Sequence, residues 1–427
     1  MVSQPQPLPA DTRRPPRRLL WCGPLILAVA VGLYVAEYTQ WHAYVNQIDL
    51  MVYRFGGLRV LDGKDLYSKG IFGSSRFLLF TYTPFAALTF TPLSVLSLPW
   101  LRAASLAVAL ALLTFSVHRT LTALGVPRRR PWWSLTALAV GLCLWLEPVR
   151  YSIELGQVNL LILAAVTLDL LAPPGRKWAG VAIGVVAGIK LTPAIFLVFL
   201  LLIGRRRAAL VGAGTFAATV LLSFAILPAD STFYWLRGNY DAPERISPDP
   251  TLSSSVRGLF GRLHWPTSAG MAVAIVVAVL ALAVAVVAWR RGHVALGLSL
   301  VGLGGAAASP FSWTHHWVWF VPLLVHLAYR GCVVGSRAAG PAMWLLWAVV
   351  AGWLVTTKGR TPVSGLARWR PGGAWNQWLP SEYVYVLIAV LAATAAWLWR
   401  TRPHDPERAP AEHPSVGGHD EHRAVLA

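Results

Sequence analysis

The stretch LLFTYTPFAALTFTPLSVLSL, Leu78–Leu98, decides how the rest of the chain is arranged. It is apolar enough to cross a bilayer. It also carries Pro84 and Pro92, and a proline inside a helix removes a hydrogen bond and kinks it. Crossing, re-entering and lying along the interface are all open to it. Other long apolar runs stand near residues 19–37, 101–120, 131–147, 158–172, 178–190, 192–204, 207–228, 271–290, 294–309, 316–334, 341–357 and 382–400. A hydrocarbon core about 30 Å thick needs about 20 apolar helical residues. The pattern is that of an all-α, polytopic integral membrane protein.

Short basic loops choose between the readings of 78–98, because cytoplasmic loops carry an excess of Lys and Arg. Arg13, Arg14, Arg17 and Arg18 put the N-terminus in the cytoplasm. If 78–98 crosses, Arg128–Arg130 and Arg205–Arg207 fall outside. If it does not, they fall inside, with Arg176, Lys177, Arg290, Arg291 and Arg330. We therefore expect about twelve crossings, with 78–98 as a re-entrant or juxtamembrane helix and both termini cytoplasmic. Residues 1–18 form a basic tail and 19–400 the membrane domain. Residues 401–427 are polar and Pro-containing, and are expected to be disordered. The run Leu19–Val35 lacks a small-residue cleavage site and is expected to be retained as the first helix. The outer face then holds loops 38–78, 148–157, 229–270 and 356–381, the turn Ile189–Thr192 and the stretch Ser309–His316.

Composition agrees. Of 427 residues, 56% are hydrophobic and only 13% charged, against about 25% charged in soluble domains. Several of the 21 Trp stand near run ends (Trp21, Trp289, Trp397, Trp399), where indole rings rest at headgroup level. The net charge of +19 sits in short clusters between apolar runs, not in one patch. It reads as topology signals, and no nucleic-acid partner is expected. Cys22, Cys143 and Cys332 are far apart and form no pairing pattern, so neither a disulfide nor a metal site is expected.

No phosphate-binding glycine loop follows a strand, and no paired-aspartate motif offers to hold a metal-bound nucleotide sugar. The nearest approach, Asp62-Gly-Lys-Asp65, is good turn chemistry. No cofactor or metal is expected. Chemistry-capable residues gather in the outer loops. Asp49 directly follows the first apolar run, either as a base or as a helix-capping aspartate. Lys190 is a lone cation after a long apolar run, either functional or snorkelling to the headgroups. Arg257 is a second candidate phosphate contact, or a surface arginine on anionic lipid. His315 and His316 stand among Trp313, Trp317 and Trp319, where imidazoles can bond a phosphate or hydroxyl and indoles can stack on a sugar. Glu154, Gln157 and Asn159 can bond acceptor hydroxyls, or cap helix ends.

Several motifs recur together in one order. They are Asp49, Tyr53, Gly56, Gly57, Gly63 and Tyr67, then Tyr82-Thr83-Pro84, then GQVNLLILAAV (Gly156–Val166) and GVAIGVVAGIKLTPAIFLVFLLL (Gly180–Leu202). SSSVRGLFGRL (Ser253–Leu263) and SPFSWTHHWVW (Ser309–Trp319) follow. Over roughly residues 19–400 the chain resembles the actinobacterial polyprenyl-phosphate-mannose-dependent α-1,2-mannosyltransferases, membrane enzymes of the GT-C fold. The family has Asn-Gln-Ser before its Val-Arg pair, where this chain has Ser253–Ser255.

The resemblance implies a metal-independent, inverting transfer of mannose on the outer face of the plasma membrane. The donor is a polyprenyl-phosphate mannose. The acceptor is a mannosylated glycolipid: a phosphatidylinositol mannoside, lipomannan or lipoarabinomannan. Asp49 then heads the matched motif as the base, and Tyr82, Lys190, Arg257, His315, His316, Glu154, Gln157 and Asn159 bind substrate. An arabinofuranosyltransferase with a decaprenyl-phosphate donor is the alternative enzyme. A transporter or lipid flippase is the rival class, but it calls for charges at several helix centres and matched halves, which are not seen.

Overall fold

The computed structural model describes residues 17–40, 46–71, 73, 78–126, 133–173, 175–238, 252–355 and 363–401. Among them the fold is helical apart from one antiparallel pair, Leu354–Val355 with Val363–Ser364. The main helices are α1 (Arg17–Gln40), α2 (Ile48–Leu61), α3 (Pro84–Phe90), α4 (Leu98–Ala123), α5 (Trp133–Leu144), α6 (Glu147–Leu155), α7 (Asn159–Leu170) and α8 (Val181–Ile189). They continue as α9 (Ile195–Leu202), α10 (Arg206–Ile226), α11 (Val256–Arg262), α12 (Thr267–Arg290), α13 (Val294–Ala308), α14 (Phe320–Cys332), α15 (Ala339–Val350) and α16 (Glu382–Arg400).

Each of the twelve expected apolar runs holds one of these helices. Length is where the structure departs from expectation. Four helices are long and apolar enough to cross a membrane: α4, α10, α12, and α16 with the short turns before it. The pair α6 and α7 makes a fifth if it counts as one span, bent by 120°. Helices α8 and α9 have nine and eight residues, so each rises only about 12–14 Å. The interruption at Thr192-Pro193 separates them. Helix α3 has seven residues before a 3-10 turn, Thr91–Ser94, and is likewise too short to cross.

Two expected loops are helical. The stretch 38–78, expected outside, contains α2, and 148–157 is mostly α6. Pro148 suits the first turn of α6 because its missing N–H has no helical partner there, and Gly156 ends the helix at φ 70°. Trp289 also departs from its expected interfacial place. It is buried, with its ring on Phe199. Cys143 is buried, whereas Cys22 and Cys332 are exposed. The tails and part of the loops 229–270 and 356–381 lie outside the described residues.

Close packing of α8 on α10 positions the site. A Cβ on Gly184 would strike the Gly212 carbonyl, and one on Gly188 would strike the Thr219 side chain. Small residues thus let the two backbones touch, as in membrane helix pairs generally. Thr83 then ties α3 to the end of α8. Its hydroxyl accepts from Ala86 N at 3.0 Å, capping α3, and donates to the Gly188 carbonyl. Tyr82 and Lys190 are brought together by this pin. Helix α13 is buried on almost every side and forms the centre of the packing.

Candidate active site

Asp49 sits in the first turn of α2. Asn46 starts that helix by accepting from Ile48 N at 2.9 Å, and Gln47 adopts a left-handed φ of 47°. The Gln157 side-chain amide, from the break between α6 and α7, donates to the Asp49 carboxylate. Its orientation is fixed from the other end. Tyr53 donates to Oε1 of Gln157 at 2.7 Å, and the Tyr82 hydroxyl lies 3.2 Å from the same oxygen. An oxygen that accepts two hydroxyls leaves only the N–H₂ to face Asp49. Burial pushes the Asp49 carboxyl up to about 6, opposed by the Gln157 hydrogen bond and the Lys190 charge.

Lys190 follows α8. Its Nζ donates to Asn159 Oδ1 at 3.3 Å, stands 2.9 Å from Nε2 of His316, and lies 5.7 Å from the centre of the Tyr82 ring. Trp313 N donates to Nδ1 of His316 at 3.2 Å, which leaves the proton of a neutral imidazole on Nε2. Nζ and Nε2 thus share a hydrogen bond, with one proton between them. Beside them are buried groups with no hydrogen-bond partner among the described residues: Nδ2 of Asn159 and both ring nitrogens of His315.

The contacts run on and close. His315 meets His316 edge-on at 4.7 Å and Tyr151 at 5.1 Å. The Arg368 guanidinium stacks 3.7 Å above the Tyr151 ring and reaches Glu154 at 3.3 Å. The Glu154 carbonyl accepts from Gln47 N at 2.9 Å, two residues before Asp49. Asp49, Gln157, Tyr82, Lys190, His316, His315, Tyr151, Arg368 and Glu154 thus form one ring of side chains.

Seven of the nine sequence candidates lie on this ring, and Asn159 touches it through Lys190. Glu154 is committed to arginines, with Arg368 at 3.3 Å and Arg150 at 3.7 Å. Its geometry favours the structural alternative over an acceptor contact. Arg257 makes no hydrogen bond or ion pair to the ring among the described residues, although one guanidinium nitrogen is buried and unbonded among them. Its helix is pinned near the site by Ser254 N to the Ser312 carbonyl at 2.6 Å and Ser312 N to Ser253 Oγ at 3.0 Å. Ser255 caps that helix through Gly258 N at 3.2 Å. The serine triplet is thus occupied in holding α11 in place. Arg262 is structural too, donating to the carbonyls of Ser253 and Gln377. Asp62 pairs with Lys64, and Asp65 accepts from Tyr67 N and Ser68 N, so both are turn residues. Trp317 is fully buried and offers no face to a sugar.

Sequence reasoning gave no role to four participants: Tyr53, Tyr151, Arg368 and Glu147. Tyr53 stands in the matched motif without an assigned role, and it is four residues from Asp49, a spacing that puts both on one face of a helix. Arg368 had no signal beyond lying in an outer loop. Glu147 is a lone carboxylate at the end of an apolar run, the kind of residue that invites a question. It accepts from Thr314 and Tyr383, each at 2.7 Å, and so anchors the turn that carries His315 and His316. Among the described residues no group of three or more His, Cys, Asp or Glu is placed to hold a metal ion.

A family model described as glycosyltransferase family 87 matches residues 80–310. A Mycobacterium tuberculosis protein is 31% identical over 416 residues, covering 92% of this chain and 94% of its own. It is named polyprenol-phosphate-mannose-dependent alpha-(1-2)-phosphatidylinositol mannoside mannosyltransferase. The chain belongs to glycosyltransferase family 87. A protein of the same name from Mycolicibacterium smegmatis is 31% identical over 373 residues, with 81% and 82% of the two chains covered. A Mycobacterium tuberculosis relative named for a phosphatidylinositol pentamannoside is 32% identical over 405 residues, covering 91% of each. No solved structure matches the chain. Membership in this family makes the protein a glycosyltransferase, and the ring around Asp49 lies partly inside and partly outside the matched segment.

Proposed function

We propose that this chain transfers mannose from a polyprenyl-phosphate mannose to a mannosylated phosphatidylinositol glycolipid, forming an α-1,2 linkage with inversion. The names of the relatives support the donor and the acceptor. The observation that carries the reading is the set of unpartnered buried nitrogens beside a cation and a held carboxylate. Nδ2 of Asn159 and both ring nitrogens of His315 have no hydrogen-bond partner among the described residues, and they stand next to the Lys190–His316 pair. Buried polar groups in native structures are nearly always bonded, so a cluster of unbonded ones calls for a ligand. Its donor-rich character suits a phosphate.

In the proposed step, Asp49 takes the proton of the acceptor 2-hydroxyl as its oxygen attacks C1 of the donor mannose. The C1–O bond to phosphate breaks on the opposite face, and the electron pair leaves with the polyprenyl phosphate. Lys190 and His316 meet that growing charge. A β-linked donor gives an α-linked product. We assign the reaction to the outer face of the plasma membrane, in a GT-C arrangement of about twelve crossings in which 78–98 does not cross. The seven-residue length of α3 supports the last point.

The test uses purified protein, radiolabelled polyprenyl-phosphate mannose and a phosphatidylinositol mannoside, with EDTA present. Wild type is expected to transfer, and Asp49→Asn, folded by thermal unfolding, is expected to lose nearly all turnover. Full activity in Asp49→Asn would sink the assignment of the base.

A further inference from the structure

Far from the ring, the turn between α12 and α13 meets the last turns of α14 and α16. Four cationic or titratable side chains gather there. His293 lies 6.0 Å from His326 and 4.6 Å from Trp397, centre to centre. The Arg330 guanidinium sits 4.9 Å from the Trp397 ring. Arg291 donates one N–H to the Leu398 carbonyl. Arg330 is only partly exposed, and its side chain makes no hydrogen bond or ion pair among the described residues. His326 is 3% exposed, and its Nδ1 is buried without a partner. Arg330 follows His326 by four residues, which puts both on one face of α14. The charged groups acting on His293 are Arg330 and Arg291, and those on His326 are His293 and Arg330.

Basic residues at this end of the bundle are expected from topology alone. A topology signal needs only exposed charge, however. It does not need a partly buried guanidinium held over an indole ring, beside a buried imidazole nitrogen with no partner among the described residues. Such a set is incomplete without an acceptor. We propose that Arg291, His293, His326 and Arg330 form a site for a phosphate group, distinct from the ring around Asp49. The group is carried by an anionic phospholipid headgroup or arrives as free phosphate, and a guanidinium suits either. Trp397 closes one side, as an interfacial indole does beside a lipid headgroup.

The test is lipid retention by the full chain in detergent, read by native mass spectrometry and by the thermal unfolding midpoint. The probes are phosphatidylglycerol, phosphatidylcholine and inorganic phosphate. Wild type should retain phosphatidylglycerol at concentrations about tenfold below phosphatidylcholine, and Arg330→Gln should abolish that preference. Should Arg330→Gln fail to fold, Arg291→Gln carries the same expectation. Lys177→Gln, an exposed residue outside the cluster, should change nothing. Protection by inorganic phosphate equal to that by the lipid would assign the same site to the free anion. Equal weakening by Arg330→Gln and Lys177→Gln, or no preference in wild type, would overturn the site. So would tighter binding by a chain ending at Thr401, because the acidic residues of the tail would then be the cluster's own occupant.

Discussion

Gln157→Met removes the amide that donates to Asp49 while keeping the side chain's length. The direction of its effect follows from the balance at the carboxylate. Burial holds the Asp49 carboxyl at about 6, and the Gln157 hydrogen bond is the largest opposing influence. A hydrogen bond to a charged group contributes roughly 1.5–3 kcal/mol, which at about 1.4 kcal/mol per unit is roughly 1–2 units. The carboxyl of the variant should therefore titrate near 7 to 8. Asp49 works ionised, so activity is present above its pKa and is lost as pH falls through it. At pH 7 the ionised fraction drops from about nine-tenths to between a half and a tenth, so kcat/KM should fall about two- to tenfold. At pH 9 most of the difference from wild type should disappear, because the carboxylate is ionised in both proteins. The assay is kcat/KM for mannosyl transfer from pH 5 to 9 in both proteins. A uniform loss with the acid limb unmoved near 6 would refute the reasoning. It would mean that Gln157 holds the substrate or the fold, and not the charge of Asp49.

Other outcomes follow from the same geometry. Lys190→Gln should lower kcat about 10²–10³-fold, as loss of a group that meets transition-state charge does elsewhere; Lys190→Arg should recover part of it, and a change confined to KM would argue against the leaving-group role. Gly156→Ala places a Cβ 2.7 Å from that of Leu50 in a residue at φ 70°. The left-handed backbone alone costs roughly 1–2 kcal/mol, so a lower unfolding temperature is expected with reduced turnover, because Leu50 adjoins Asp49. Unchanged values would mean that the turn relaxes. In a background without the native cysteines, probes at positions 177 and 264, both exposed, should be labelled from opposite sides of the membrane. Same-side labelling would break the parity that puts the ring outside.

The helical, membrane-bound character of the chain was legible because hydropathy is local: each of the twelve runs holds a helix. Lengths were not legible. The turn inside GVAIGVVAGIKLTPAIFLVFLLL was legible as a boundary between the runs 178–190 and 192–204, but nothing there shows that the helices on its two sides have only nine and eight residues. The polar residues of the ring were legible for a different reason. Asp49, Lys190, His315 and His316 are charged or titratable in apolar surroundings, which is costly enough to stand out. The roles of Tyr53 and Arg368 were not legible, because they depend on contacts over 104 and 214 positions of sequence. Periodicity carries no information at that range.

The two charges of the proposed reaction occupy helix ends of matching sign. Asp49 lies in the first turn of α2, where the unpaired N–H groups favour an anion. Lys190 caps the C-terminus of α8, where the unpaired carbonyls favour a cation. Neither pairs directly with the other among the described residues. A direct ion pair would hold each charge at the lowest energy and leave nothing to change during transfer. Helix ends instead lower the cost of partial burial without occupying the carboxylate oxygens or the ammonium protons. Gln157 and Asn159 add one hydrogen bond to each, both from the 120° break between α6 and α7. The break thus sets the spacing of base and cation at once. A substitution there should move both, whereas one at the far end of α7 should move neither.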